Sequence, residues 1–282
     1  MLSSMLRFLV QNAMTLLVLA VGLSTPPSVL RAAWEDRLVL ARTLLVLLLG
    51  VPLVTLLLVK LLPLHVPSAE VIALTAVCPG AAMILRKRGA NPVVLVSLLL
   101  VAALIPLSVP FWLRIIRSFL GFDFEVRSST LLQITWLKQL VPLLLGLSLA
   151  ALKPTLSVRL ARVAWILFYV AFGVALVAVL AKGGSLLWSH IATWEALAVL
   201  LVAVAAALLG RWAGGQDPEA QEALANEAIL GNPALAIAVL TAGRGVHGAL
   251  TALLAAYVLA RAVAAFLVLL AMHQGRRLHP HH

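Results

Sequence analysis

Long apolar stretches, separated by short polar segments, dominate the pattern of hydrophobic positions along the chain. Most of them approach or exceed the roughly 20 residues that a helix needs to cross a bilayer, so the pattern predicts about nine transmembrane helices. Long alternation of polar and apolar positions, as in the strands of a membrane barrel, is not seen. The fold class predicted is therefore an all-α integral membrane protein. The predicted spans cover approximately 5–23, 38–62, 68–85, 92–112, 130–152, 158–181, 193–210, 223–242 and 248–272.

The composition supports this class and excludes several others. Of the 282 residues, 63% are hydrophobic and only 11% are charged, with a mean hydropathy of +1.10, and no soluble domain has that balance. The net charge of +11 does not indicate nucleic-acid binding, because the basic residues are scattered at the ends of the apolar spans. A single cysteine excludes an intramolecular disulfide. We expect no enzyme activity, since no catalytic constellation is visible, and no cofactor apart from a coupling ion.

The most informative stretch lies in the eighth span, where Asn226 and Glu227 precede the sequence Gly231-Asn232-Pro233. A carboxylate at this depth costs at least about 2.5–3.5 kcal/mol on insertion scales, so it should face a partner or a cavity. Pro233 lacks an N–H and Gly231 adds backbone freedom, so the helix is predicted to break there. Broken helices with polar groups build the ion and substrate sites of secondary transporters. The alternative is a proline kink with Glu227 in a structural salt bridge.

A second break, Cys78-Pro79-Gly80, interrupts the third span. Pro79 and Pro233 occupy equivalent positions, because each broken span follows two ordinary spans and precedes a final one. This order predicts an inverted repeat in which an odd linker helix turns the second copy upside down. The predicted segments are 1–117 for the first half, 118–157 for the linker helix and 158–282 for the second half.

The distribution of Lys and Arg predicts the orientation of the chain. When the loops are placed on alternating sides, most basic residues fall on one side, which the positive-inside rule makes cytoplasmic. This predicts an outside N-terminus, a cytoplasmic C-terminus and a location in the plasma (inner) membrane. Lys138, inside the fifth span, either snorkels to the interface or faces the interior. The pattern does not indicate an oligomeric state.

In its motifs the chain resembles the bile acid:sodium symporter superfamily, as a divergent bacterial-type member. The motifs are Cys78-Pro79-Gly80 in the first break, Glu227 with Asn232 in the second, and Pro142 to Gly146 in the fifth span. The resemblance covers nearly the whole chain. It implies a core domain with two crossing broken helices, a panel domain and alternating access. It also implies Na⁺-coupled uptake of organic anions such as bile acids, pantoate or pyruvate-type acids across the lipid bilayer.

The sodium ligands that the resemblance implies are largely replaced here. Ala81 to Leu85 stand where the family has a Ser-Asn turn, Val94 and Leu98 where it has hydroxyls, and Gly231 where it has a glutamine. Na⁺ needs several oxygen ligands, and few side-chain oxygens remain. Those that could hold Na⁺ are Glu227 and Asn232, with Asn226 and freed backbone carbonyls beside them. Coupling to Na⁺ is therefore not expected to follow the two-sodium pattern of the family.

Arg261, in the ninth span, offers a substitute for a bound cation. At a rise of about 1.5 Å per residue, Arg261 and Glu227 lie at similar depths on consecutive helices. One hypothesis is that the guanidinium pairs with Glu227 in place of a cation, which would make transport Na⁺-independent and either proton-coupled or facilitative. The alternative is that Arg261 snorkels or contacts the ring of Tyr257.

Together these features predict a secondary active transporter of small or amphipathic organic anions. Helix N-termini at the two breaks would attract an anion. The lining suggested by Ala81, Ala82, Met83, Ala234 and Leu235 is apolar and suits a carboxylate with a greasy body. Two other functions remain open, a cation/proton antiporter and a non-transporting sensor or scaffold that keeps the fold.

Overall fold

A computed structural model of the chain describes residues 2–26, 28, 36–80, 92–122, 128–190, 193–244 and 248–278. Within these residues the regular secondary structure is helical, with no strand. The helices are α1 (Leu2–Ser24), α2 (Arg37–Leu61), α3 (Val66–Ala76), α4 (Pro92–Leu120), α5 (128–152), α6 (Pro154–His190), α7 (Thr193–Ala213), α8 (Pro218–Leu230), α9 (Pro233–Arg244) and α10 (Gly248–Leu278).

Several described helices are long and apolar enough to cross a membrane. Four spans meet that test, and a fifth results if the halves of α4, which meet at 55°, cross as one bent span. The four are Arg37–Leu61, Pro154–Val174, Trp194–Ala213 and Pro218–Leu240. Large apolar side chains such as Leu53, Leu57 and Leu144 are exposed on the outside of the helices, where lipid rather than water would favour them. The chain is an all-α membrane protein, as predicted, while the total of nine spans stays a prediction.

Two helix ends differ from the sequence prediction. α3 begins at Val66 and not near Ser68, because Pro67 suits the first turn of a helix and His65 before it is extended (φ −65°, ψ 141°). Ser68 is therefore a buried residue inside the helix and does not cap it. α6 continues to His190, past the end predicted near Ala181.

Two helices, α2 and α5, continue through a proline because the turn before it is π-helical. In α2 the five-residue turn Val46–Gly50 is π-helical and leads into Pro52, and the turn before Pro142 in α5 has the same form. A proline offers no N–H to the carbonyl four residues earlier and its ring crowds that carbonyl. In α2 this carbonyl belongs to Leu48, and Trp112 of α4 donates its indole N–H to it over 2.7 Å. Pro52, in the middle of the predicted second span, is thus accommodated by a π-helical turn whose freed carbonyl has a partner.

The helices pack in two groups. In the first group, α1 lies against α5 and α6. The backbones of α1 and α5 touch, since a Cβ on Gly22 would lie 2.6 Å from Leu143 O and a Cβ on Gly146 would lie 2.7 Å from Leu23 N. In the second group, α7 packs on α2, α8 and α10, and α3 packs on α2 and α10. Gly210 of α7 approaches the backbone of α8 in the same way. The groups meet where α6 contacts α10 and where α4 contacts α5.

Contacts between helix ends define two opposite faces of the helical bundle. At one face His65, which precedes α3, contacts Glu195 at the start of α7. At the other face the Ser157 hydroxyl, at the start of α6, donates to the carbonyl oxygen of Leu23 over 2.6 Å. Connections that the hydropathy pattern placed on the same side therefore contact each other at both ends. Which face is cytoplasmic stays a prediction, and the first is called the His65 face below.

Candidate functional site

The two predicted breaks lie against each other. α3 ends at Ala76 and α8 ends at Leu230, and the backbone N–H of Asn232 donates to the carbonyl oxygen of Cys78 over 2.7 Å. Gly80, just beyond the first break, has a φ of 98°. The half-helix expected after Pro79 falls on residues 81–91, outside the described residues. The contact between the breaks, rather than the shape of each alone, defines the candidate site.

Gly231 makes the close approach of the two breaks possible. Its φ is +59°, a conformation that L side chains rarely adopt. A Cβ at this position would lie 3.1 Å from the carbonyl oxygen of Thr75 and 3.2 Å from that of Cys78. A glycine at this position is therefore needed for backbone packing.

Both asparagines of the break bond within their own segments. Asn232 is the N-cap of α9, and its Oδ1 accepts a hydrogen bond from Leu235 N over 3.0 Å. Pro233 follows it at the start of the helix, where a missing N–H has no cost. The Asn226 amide donates to the carbonyl oxygen of Glu222 over 3.0 Å, one turn earlier in α8. Of the side-chain oxygens that the sequence suggested as Na⁺ ligands, Asn232 Oδ1 is thus engaged in helix capping.

Glu227 is the most deeply buried acid of the break. Its side chain is 0% exposed, and neither carboxylate oxygen has a hydrogen-bond partner among the described residues. A buried carboxylate without a partner is costly as an anion, and a proton or a cation relieves that cost. The predicted depth of Glu227 is therefore consistent with its burial, while its ligand stays a prediction.

Arg261 reaches the break, but the structure shows no hydrogen bond between it and Glu227, the pairing that one of the two hypotheses from the sequence expected. The guanidinium is 4% exposed, and its Nη2 donates to Ala228 O over 3.5 Å. Its Nη1 lies 3.7 Å from the position that a Cβ on Gly231 would take. Both carboxylate oxygens of Glu227 lack a hydrogen-bond partner among the described residues, so no bond joins the two side chains. Arg261 instead caps the C-terminal end of α8.

The electrostatic potential at the break is set by two helix C-termini that meet there. The C-terminal ends of α3 and α8 both carry carbonyl oxygens without helical partners and a negative partial charge. The carbonyl oxygens of Thr75, Cys78 and Ala228 lie close to Gly231 or to Arg261. Such a position attracts a cation, and the guanidinium of Arg261 supplies one.

Sequence reasoning missed a second buried acid. Glu195, at the start of α7, is 0% exposed, and its Oε1 lies 2.7 Å from His65 Nδ1 and 3.3 Å from the His65 N–H. In the sequence His65 is a lone histidine between two predicted spans, and an acid in the first turn of a helix is common. The signal that could have found the pair is the placement of both residues on one face by the alternating loops.

Several other predicted residues carry less information. Ala81, Ala82 and Met83 lie outside the described residues, and so does the side chain of Ala234. Leu235 is fully buried in α9. Lys138 is partly buried in the π-helical turn before Pro142.

Comparison with known proteins adds no assignment. No protein-family model matches the chain, and no curated protein matches it. The resemblance to the bile acid:sodium symporter superfamily stays a prediction carried by the motifs in the two breaks.

Proposed function

We propose that this protein is a secondary active transporter of small or amphipathic organic anions. The observation that carries the proposal is the hydrogen bond between Asn232 N–H and the Cys78 carbonyl oxygen, which joins two helix breaks. Beside that bond lie a fully buried acid, Glu227, and a buried guanidinium, Arg261. Interrupted helices that meet inside the bilayer form a polar site without exposing backbone groups to lipid. A purely structural bundle would need neither break.

Packing between equivalent segments supports an inverted repeat of about nine spans. α1 packs on α6, α2 packs on α7, and the break after α3 contacts the break after α8. Each of these segments of the first half thus touches its counterpart in the second half. A pseudo-twofold axis in the plane of the membrane brings counterparts together in this way.

The two packing groups support alternating access. The first group, α1 with α5 and α6, corresponds to a panel, and the second group, which holds both breaks, corresponds to a core. α9, which continues from the second break, also contacts α1 and α5 of the first group. The candidate site therefore lies in the second group near its boundary with the first, where relative motion would open it to either side.

We propose that transport does not need Na⁺. In carriers with broken helices, freed carbonyls and helix C-terminal ends coordinate the cation. Here the guanidinium of Arg261, which cannot dissociate or lose its proton, occupies that position. Transport is then facilitative or coupled to a proton, and Glu227 is the group that takes the proton.

Uptake by proteoliposomes tests the transporter proposal. The probes are radiolabelled taurocholate, pantoate and pyruvate, offered with an inward proton gradient, an inward Na⁺ gradient or K⁺ alone. We expect at least one probe to enter, at the same rate when K⁺ replaces Na⁺. Glu227→Gln should abolish proton-driven accumulation. Glu219→Gln, an exposed acid in the first turn of the same helix, should transport like the wild type.

The outcomes separate the two parts of the proposal. Entry of none of the probes under any gradient would reject an organic-anion transporter. Entry that requires Na⁺ would leave the transporter and reject the role given to Arg261.

Arg261→Ala tests the resident-cation role without a substrate. Loss of the guanidinium should open the carbonyl-lined position to a cation, so the melting temperature of the variant should rise with NaCl concentration more than with choline chloride. The wild type should show no such difference. A variant that is equally stable in both salts would contradict the role.

A cation/proton antiporter is the second candidate, because Glu227 is fully buried and has no hydrogen-bond partner among the described residues. In the same proteoliposomes, an antiporter would release protons when Na⁺ or K⁺ is added without any anion flux. A sensor or scaffold would show neither response.

A further inference from the structure

Unpartnered buried polar atoms lie on two elements between the His65 face and the break. They are Glu195 Oε2, the Tyr257 hydroxyl, Arg261 Nε and Arg261 Nη1, none of which has a hydrogen-bond partner among the described residues. Buried polar atoms in proteins nearly always have a partner, which is either protein or ordered water. Several such atoms on packed helices indicate ordered water between them rather than isolated defects.

The outer end of this succession reaches solvent through His65. The His65 side chain is 76% exposed, whereas the Glu195 side chain beneath it is 0% exposed. Oε1 of Glu195 accepts both hydrogen bonds from His65. Oε2 is therefore the oxygen that is left for a partner deeper in the protein.

The middle of the succession is formed by α10 and α3. Tyr257 of α10 is 3% exposed, and the polar neighbours of its hydroxyl include Ser68 of α3 and Glu195. Ser68 is itself 1% exposed. Because α10 packs on both α7 and α3, Tyr257 and Ser68 lie between the helix that carries Glu195 and the break.

The inner end is the break. Arg261 follows Tyr257 by four residues, so the two side chains share one face of α10. The guanidinium contacts Ala228 O and approaches Gly231, and the Cys78 thiol is among its electrostatic neighbours. The succession therefore ends at the crossing of the two breaks.

We propose that Glu195, Tyr257 and Arg261 line a hydrated route by which water and protons reach the break from the His65 face. A neutral His65 that carries its proton on Nδ1 takes a second proton from solvent at Nε2 and gives the Nδ1 proton to Glu195 Oε1, which leaves a neutral ring protonated at Nε2. The Glu195 carboxyl then releases its proton to water beside the Tyr257 hydroxyl. The titratable groups that face Glu195 are His65, from the connection before α3, and Tyr257, from α10. The use of this proton in coupling rests on the proposed function, whereas the existence of the route does not.

The competing interpretation is structural. In that case His65 and Glu195 only tie two helix ends together, and Tyr257 is a core aromatic residue. A test must therefore report water at the inner end of the route and not stability alone.

The single cysteine of the chain is a natural reporter, because Cys78 lies at the inner end. On transfer of the protein in lipid nanodiscs to D₂O, the S–H stretching band of Cys78 is replaced by an S–D band as water reaches the thiol. We expect rapid exchange in the wild type. In Tyr257→Phe, which keeps the ring and removes one hydrogen-bonding group from the route, exchange should slow about tenfold or more.

Thr15→Val is the matched control, since Thr15 of α1 also has a buried hydroxyl without a partner among the described residues but belongs to the first group. It should exchange like the wild type. Exchange in Tyr257→Phe at the wild-type rate would overturn the route, and so would a wild-type thiol that does not exchange. The readout needs no substrate, so failure of the uptake assays and failure of the route are separate results.

Discussion

Two prolines of the chain, Pro52 and Pro233, each stand two residues after a glycine. The helix continues through the first and ends before the second. Before Pro52, Gly50 has a helical φ of −60° and the helix continues through a π-helical turn. Before Pro233, Gly231 has a φ of +59° and the helix stops. The same spacing of Gly and Pro therefore gives a widened helix in one place and a break in the other, so the two residues alone do not decide the outcome.

The residue between them and the local partners account for the difference. Val51 has no polar side chain with which to begin a new helix, whereas Asn232 caps α9 through its bond from Leu235 N. The freed carbonyl of Leu48 finds an indole N–H on a neighbouring helix. At the break the backbone N–H of Asn232 finds the carbonyl of the other break. At this break, the chain thus has an N-cap for the next helix and a second interrupted helix beside it.

The largest expected effect is at Gly231. Gly231→Ala adds strain from a positive φ, and its Cβ presses on backbone carbonyls that cannot move away, so it should lower the free energy of unfolding by about 2–4 kcal/mol. The measurement is chemical or thermal unfolding of the protein in detergent. Gly50→Ala is the control, because its helical Cβ would meet the Leu209 side chain at an ordinary 3.5 Å. A Gly231→Ala variant as stable as Gly50→Ala would mean that the break does not have this geometry.

Trp112 should have the next largest effect. Trp112→Phe leaves the Leu48 carbonyl without its partner and should lower stability by about 1–3 kcal/mol. In a Pro52→Ala background the restored N–H can satisfy that carbonyl, so the same substitution should cost less. The double-mutant cycle measures this difference. Equal losses in both backgrounds would show that Trp112 acts through packing and not through the carbonyl.

Asn232 should have the smallest effect of the three. Asn232→Ala removes the cap of α9 but keeps the backbone bond to Cys78, so the expected loss is about 1 kcal/mol. Asn226→Ala, at the exposed hydrogen bond within α8, should change stability by less than about 0.5 kcal/mol. If Asn226→Ala proved the more damaging, the assignment of Asn232 as the cap would be wrong.

The sequence predicted well what depends on composition and on local backbone chemistry. Apolar length predicted a helical membrane protein, and Gly-Asn-Pro and Cys-Pro-Gly predicted two interruptions, which the structure places in contact at Cys78 and Asn232. α3 starts two residues before the predicted third span, because Pro67 suits the first turn of a helix.

What the sequence could not predict are relations between faces of different helices. Residue spacing fixed the depth of Arg261 but not the direction of its side chain, which reaches Ala228 O and leaves the Glu227 oxygens without a partner among the described residues. The pair of His65 and Glu195 joins positions far apart in the chain, and no local pattern marks either residue. Such contacts depend on how helices rotate about their axes when they pack.

The glycine contacts within each packing group have a mechanical consequence. Where Gly22 meets Gly146, and where Gly210 meets α8, main chain rests on main chain, and no side chain is present whose rotamer could change to let one helix slide past the other. The pair α1 and α5 and the pair α7 and α8 should therefore each move as a rigid body. The alternating access proposed above would then take place at the boundary between the groups, where α6 meets α10, α4 meets α5, and α9 meets α1 and α5.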